Sequence, residues 1–131
     1  MTDTRASPLA TVLRVDGWST TLFGVALTVS APLLRAPLGL PTPLSLLFGV
    51  VMVAGGAALL AIARRGPHRY ARPVVAVNAA SALGMTALAC SGLLPLTGLG
   101  IAFLLAGAAL VATYAALELR AAALGEPVTV C

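Results

Sequence analysis

Lysine is absent from this sequence, histidine occurs once, and charged residues make up only 9% of the chain. Without lysine the chain cannot form a Schiff-base nucleophile or a retinal linkage. His68 alone cannot supply bis-histidine haem ligation or a histidine-rich metal site. The two cysteines, Cys90 and Cys131, form no CxxC pair, so neither a redox motif nor a zinc site is indicated. We expect Cys90 to be a small buried residue and give Cys131, which lacks the CaaX arrangement, no lipid anchor.

Motifs for catalysis are also missing. The chain has no glycine-rich phosphate loop, no catalytic triad and no close pair of carboxylates on one predicted helix. An enzyme would require a cleft joining Glu118, Tyr114 and His68. We therefore predict that the protein is not an enzyme, with no catalytic residue, no cofactor and no metal.

Long apolar stretches fill most of the chain. Hydrophobic residues make up 60% of it, and the mean hydropathy is +1.02. Four stretches, at about 12–34, 44–63, 74–94 and 98–119, each reach the roughly 20 residues that a helix needs to cross the hydrocarbon core. The sequence predicts an all-α polytopic membrane protein with a four-transmembrane-helix bundle. Residues 1–131 would form a single membrane domain, with the lipid bilayer as its surroundings.

The arginines predict the orientation of this bundle. Residues 64–72 carry four of them, which marks this loop as cytoplasmic by the positive-inside rule and places both termini on the same side. Arg5 also lies on this side, and the other side carries only Arg35. Six arginines are assigned to topology and to lipid headgroups: Arg14, Arg64, Arg65, Arg69, Arg72 and Arg120. We predict a multi-pass protein of the cell inner (cytoplasmic) membrane. We predict no nucleic-acid partner, because the arginines flank the spans instead of forming a stripe with interleaved aromatics.

The chain has features of a tandem duplication of a two-helix hairpin. Residues 49–60 and 100–111 are identical at five of twelve positions, at an offset of 51. Val15-Asp16 with Ser19 parallels Val77-Asn78 with Ser81, at an offset of 62. Two such hairpins would insert in the same orientation, as in a parallel repeat. The alternative is that helices rich in alanine, glycine and leucine resemble one another by composition.

Small residues recur at four-residue spacing in the predicted spans. Ala54 and Ala58 form one such stripe, and Ala108, Ala112 and Ala116 form another. Small residues at this spacing let helix backbones approach closely in lipid. We expect most of these faces to hold the bundle together, and any that remain outside to favour oligomers.

Polar residues within the apolar stretches are the main indication of a functional site, because each is costly to bury in lipid. Asp16, Asn78 and Glu118 all lie near the arginine-marked ends of their spans, so they could meet in one layer of the bundle. Thr20 follows Asp16 by one turn, and Tyr114 shares a helix face with Glu118. The candidate intramembrane polar site therefore comprises Asp16, Thr20, Asn78, Tyr114 and Glu118.

Three interpretations of this site are open. The carboxylates could pair with Arg14, Arg72 or Arg120 and lock the bundle, with Asn78 making an interhelical hydrogen bond. They could instead handle protons or cations, or line a cytoplasm-facing ligand pocket. A water-filled cavity would favour transport, and arginine capping would favour a structural role.

Several short motifs resemble known membrane proteins. Leu13-Arg14-Val15-Asp16, Ala31-Pro32-Leu33-Leu34, Leu38-Gly39-Leu40-Pro41, Asn78 and Ala116-Leu117-Glu118-Leu119 resemble uncharacterised small four-span integral membrane proteins of high-GC bacteria. That resemblance implies no particular activity. Leu47-Phe48-Gly49 and Ala54-Gly55-Gly56-Ala57 are similar to DoxX-like proteins. By position, Asp16 resembles the essential membrane-embedded acidic residue in the first span of small multidrug-resistance transporters.

Together these features predict a non-catalytic accessory or assembly component of the membrane. Its partners would be further copies of the chain in a homo-oligomer, or another membrane protein. The alternative is a small-solute or proton-coupled transporter that works as an oligomer through a cytoplasm-side polar pocket.

Overall fold

The computed structural model describes residues 7–125, which form four helices. They are α1 (Pro8–Leu38), α2 (Thr42–Arg65), α3 (Ala71–Ser91) and α4 (Gly98–Gly125). All four are long and apolar enough to cross a membrane. The predicted all-α fold with four membrane-spanning helices is therefore confirmed. Arg5 and Cys131 lie outside the described residues.

The connection between α1 and α2 is shorter than the sequence indicates. The predicted spans at 12–34 and 44–63 leave residues 35–43 as the connection, but α1 continues through Pro37 to Leu38 and only residues 39–41 separate the two helices. Pro37 has a φ suited to a helix, but it lacks an N–H donor and its ring crowds the carbonyl of Leu33, and α1 ends one residue later. Gly39 then ends α1 with a φ of 67°, a left-handed conformation that glycine adopts without strain.

The helices pack in the spatial order α2, α1, α4, α3. Helix α1 contacts both α2 and α4, and α3 packs mainly against α4. Short connections make successive helices antiparallel, so the start of α1, the end of α2, the start of α3 and the end of α4 meet at one end. We call this the arginine-rich end, after Arg14, Arg64, Arg65, Arg69, Arg72 and Arg120. An apolar layer contributed by all four helices closes it: Leu9, Leu13, Leu59, Ala63, Ala71, Val74 and Ala121. We call this set the apolar end layer.

Helices α1 and α2 touch through glycines. A Cβ atom added to Gly24 would lie 2.7 Å from the carbonyl oxygen of Gly49, and one added to Gly56 would lie 2.7 Å from the carbonyl oxygen of Gly17. In both helices the glycines are seven residues apart, which is about two turns, so they lie on one face. Thr21 fills the space beside Gly56 and donates to the Gly17 carbonyl at 2.7 Å. The two backbones are therefore in direct contact along this face.

Most of the predicted alanine stripes do not pack the bundle. Ala54, Ala58, Ala112 and Ala116 are exposed, and of the five alanines only Ala108 is buried. Helix α2 packs its glycine face against α1. Ala54 and Ala58 are each two positions from Gly56, so they lie about 200° around the helix from it. The expectation that these alanines hold the bundle together is thus wrong for four of the five.

Helix α3 is the least covered of the four. Its buried residues are Ala71, Val74, Ala82 and Ala89, which follow one face. Cys90 lies off this face and is exposed, so the expectation that it is buried is wrong. Gly92, with a φ of 73°, ends the helix at Ser91, three residues before the predicted end of the span.

Candidate functional site

Three intramembrane polar residues from three helices meet at one point. The side-chain nitrogen of Asn78, on α3, donates to Oδ2 of Asp16 on α1 at 2.9 Å and to Oε2 of Glu118 on α4 at 2.8 Å. Thr20 donates its hydroxyl to the other oxygen of Asp16, Oδ1, at 3.0 Å. We call Asp16, Thr20, Asn78 and Glu118 the polar cluster. It ties α3 and α4 to α1.

The two carboxylates of the polar cluster are sealed inside the protein. Asp16 is 2% exposed and Glu118 is 0% exposed. Both oxygens of Asp16 accept a hydrogen bond, whereas Oε1 of Glu118 is buried without any partner. An unpartnered buried carboxylate oxygen is costly, because it gives up its hydration without a replacement. This oxygen is the unsatisfied part of the cluster.

A second polar contact joins α1 and α4 beside the cluster. The hydroxyl groups of Ser19 and Tyr114 lie 2.9 Å apart. Tyr114 belongs to the predicted site but Ser19 does not. The spacing could have identified it: Ser19 lies about one turn beyond Asp16, Tyr114 one turn before Glu118, and the two helices are antiparallel.

The hydrogen bond between Ser19 and Tyr114 predicts a measurable coupling. In a double-mutant cycle of Ser19→Ala and Tyr114→Phe, we expect a coupling energy of about 0.6 kcal/mol, the average for interhelical hydrogen bonds in a membrane. The free energy of unfolding would be measured in mixed lipid–detergent micelles. Thr113→Val is the control, because Thr113 bonds only to the carbonyl of Ala109 in its own helix. Strictly additive effects of the two changes would show that the contact contributes nothing.

The arginines do not cap the carboxylates. Within residues 7–125, no arginine nitrogen lies within 4.0 Å of a carboxylate oxygen. The arginines that the sequence offers as partners, Arg14, Arg72 and Arg120, are all exposed. Arg14 and Arg120 are each two residues from a carboxylate, which places them about 200° around the helix from it. The pairing envisaged from the sequence is therefore not formed.

The remaining arginines of the arginine-rich end also point outward. Arg64, Arg65 and Arg69 are exposed, and the Arg69 guanidinium lies 5.6 Å from the centre of the Tyr70 ring. This separation is within the range of a cation–π contact. All six arginines assigned to topology are thus free to reach lipid headgroups, which stays a prediction.

The apolar end layer separates the polar cluster from the arginine-rich end. Leu13 lies three residues before Asp16, Val74 four before Asn78, and Ala121 three after Glu118, so each is one turn closer to that end. Two cavities lie elsewhere. One, of about 380 Å³, is an apolar groove between α1 and α2, and the other, of about 580 Å³, lies at the opposite end beside Arg35. Neither is lined by a residue of the cluster.

The residues required for an enzyme do not come together. His68 is exposed in the connection between α2 and α3, whereas Glu118 is fully buried. In the described part of the chain, no three histidine, cysteine, aspartate or glutamate side chains form a group that could hold a metal ion.

The predicted duplication has a structural counterpart at the cluster. Asp16 and Asn78, equivalent at the offset of 62, are hydrogen-bonded to each other. A pseudo-twofold axis relating the two hairpins would also require α2 to pack against α3 as α1 packs against α4, and these two helices make no comparable contact. The close glycine contact is confined to the first hairpin, because the positions in α3 that correspond to Gly17 and Gly24 are Ala79 and Thr86. The duplication itself stays a prediction.

No protein-family model, curated protein or solved structure matches this chain. The resemblances to four-span bacterial membrane proteins, DoxX-like proteins and small multidrug-resistance transporters therefore stay predictions.

Proposed function

We propose that this protein is a non-catalytic accessory or assembly component of a membrane. The observation that carries the proposal is the polar cluster, in which Thr20 and Asn78 are half-buried. Its carboxylates are buried, its hydrogen bonds join α1, α3 and α4, and the apolar end layer lies between it and the arginine-rich end. A cluster of this kind fixes the relative position of three helices. Neither of the two cavities described above is lined by a residue of the cluster.

The outer surface supports a partner within the membrane. Gly55 on α2 and Gly84 on α3 have open space where a Cβ atom would be, and the alanine stripe of Ala54 and Ala58 faces outward beside Gly55. Small residues on a lipid-facing side let another transmembrane helix come close. The partner is a second copy of this chain or a helix of another membrane protein.

The asymmetry of arginines supports the bacterial cytoplasmic membrane as the location. Seven arginines belong to the side of the loop at 64–72 and one, Arg35, to the other. By the positive-inside rule, the arginine-rich end and both termini would face the cytoplasm.

A small-solute or proton-coupled transporter is the second candidate. One observation favours it: Oε1 of Glu118 is buried in the membrane region without a partner. Ionisable groups in such places are typical of proton and ion pathways. In this case water would have to reach the cluster in some state of the protein.

Thiol labelling separates the two candidates. In a cysteine-free background (Cys90→Ala with Cys131→Ala), Thr20→Cys places a thiol within the polar cluster. The protein would be reconstituted in vesicles and treated with a membrane-impermeant thiol reagent from each side. We expect Thr20→Cys to stay unlabelled, because Thr20 is half-buried within a membrane-spanning helix and the apolar end layer lies between it and the arginine-rich end.

Two control positions calibrate this labelling. His68→Cys lies in an exposed connection and should react from one side of the membrane. Leu83→Cys, 72% exposed on the outside of α3, should face lipid and resist the reagent. If Thr20→Cys reacts nearly as fast as His68→Cys from either side, an aqueous path exists and the transporter replaces the assembly component.

A further inference from the structure

The carboxylates of Asp16 and Glu118 are held close together. Both accept a hydrogen bond from the same nitrogen of Asn78, so the two accepting oxygens are separated by no more than about 6 Å. If the Asn78 amide were flipped, its oxygen would face both carboxylates and could not donate to them. The two hydrogen bonds therefore require the amide nitrogen to face the carboxylates. The pair is therefore a defined arrangement of two acids on different helices.

The donors around the pair leave one oxygen unsatisfied. The Asn78 amide contacts both carboxylates, and the Thr20 hydroxyl serves Asp16. The hydroxyl of Tyr114, the nearest titratable group on α4, is engaged with Ser19. Oε1 of Glu118 remains fully buried and without a partner.

No positive charge of the described residues balances the pair. The cationic side chains at this end belong to all four helices and are exposed: Arg14, Arg64, Arg65, Arg72 and Arg120. None approaches within 4.0 Å of either carboxylate. Helix α2, which packs against α1, contributes no acidic residue and no histidine. Two bare carboxylates would thus be buried together within the membrane-spanning helices.

Such a site requires a positive charge. Burying one unpaired ion in a low-dielectric interior is already costly, and two like charges side by side repel each other in addition. We propose that the polar cluster binds one exchangeable monovalent cation, H⁺ or Na⁺, at Glu118 Oε1. A proton would come from water and form an O–H bond to one carboxylate oxygen. A sodium ion would be ligated by the carboxylate oxygens.

A bound cation does not depend on the proposed function. A single small ion exchanges through brief local opening of an assembly component, whereas a carrier needs an aqueous path that admits solute. Labelling of Thr20→Cys reports whether water reaches the polar cluster. Occupancy by a cation is read instead from the protonation of the carboxyl groups. The failure of one proposal therefore leaves the other standing.

Infrared spectroscopy tests occupancy. The full-length protein in lipid nanodiscs would be measured at neutral pH, with either Na⁺ or N-methylglucamine as the only added cation. In N-methylglucamine we expect the C=O stretch of a protonated carboxyl group. We expect this band to be lost in Glu118→Gln, because the remaining Asp16 has a hydrogen-bond donor at each oxygen, and to persist in Asp16→Asn, because Oε1 of Glu118 stays buried without a partner. Tyr114→Phe, beside the cluster, should retain it.

The two salts identify the cation. If the C=O band persists in Na⁺, the bound cation is a proton. If the band is present only in N-methylglucamine, Na⁺ displaces the proton. Absence of the band in both salts, its survival in Glu118→Gln, or its loss in Asp16→Asn would overturn the proposal. Both variants are neutral replacements of similar shape, and helix content checks their folding. If one fails to fold, the other still decides.

Discussion

Replacing Asn78 with leucine is expected to lower the free energy of unfolding by about 3 kcal/mol. Leucine has nearly the same size, so packing changes little. The change removes the amide that donates to both Asp16 and Glu118, and leaves two buried carboxylates without it. An ordinary interhelical hydrogen bond in a membrane contributes only about 0.6 kcal/mol. The size of the effect therefore distinguishes a donor to buried acids from an ordinary polar contact.

The measurement is reversible unfolding in mixed lipid–detergent micelles, followed by the fluorescence of Trp18, the single tryptophan. The informative comparison is the triple variant Asp16→Leu, Asn78→Leu, Glu118→Met, which makes the whole cluster apolar at similar volume. We expect it to be more stable than Asn78→Leu alone, because an apolar replacement leaves nothing unsatisfied. A triple variant less stable than the single one would show that the cluster stabilises the bundle as a unit.

The number of helices and their approximate lengths could be predicted from the sequence, because the thickness of the bilayer requires them. The predicted span at 44–63 lies inside α2, Thr42–Arg65, with two residues to spare at each end. The pairing of the helices could not be predicted in this way. Lipid and protein interior are equally apolar, so hydropathy does not distinguish the packed face of α2 from its lipid-facing side. Glycine at seven-residue spacing, as in Gly49 and Gly56, was the available signal, and the more numerous alanines obscured it.

The composition of the polar cluster followed from the cost of polar groups in lipid. Asp16, Asn78 and Glu118 lie at similar depths and each requires a partner, so the sequence allows them to meet, but it equally allows each carboxylate to pair with an arginine. Their partners were harder to predict. Proximity along the chain suggested Arg14 and Arg120, but residues two positions apart lie on nearly opposite sides of a helix. The remaining contacts depend on which helices are neighbours. The contact between Ser19 and Tyr114, for example, depends on the antiparallel packing of α1 and α4.

Alanine at position 56 is expected to destabilise the bundle by about 2 kcal/mol, as overpacking of a close contact does. A Cβ atom on Gly56 would lie 2.7 Å from the carbonyl oxygen of Gly17 and 2.8 Å from the backbone nitrogen of Thr21, and would overlap the Thr21 hydroxyl. Because backbone atoms cannot rotate away, α1 and α2 must separate. This separation would also loosen the α1–α2 face at Gly24 and Gly49, one repeat further along.

The adjacent residue provides the matched control for this prediction. Gly55 has nothing within 4 Å of an added Cβ atom, and as a mid-helix residue it gains the same helix propensity from alanine as Gly56 does. The difference in unfolding free energy between Gly56→Ala and Gly55→Ala in micelles therefore isolates the α1–α2 contact. We expect Gly55→Ala to be neutral or slightly stabilising. Equal stability of the two variants would mean that α1 and α2 do not touch at this face. Destabilisation by Gly55→Ala in lipid but not in micelles that contain only the monomer would instead place a partner helix against the outer side of α2.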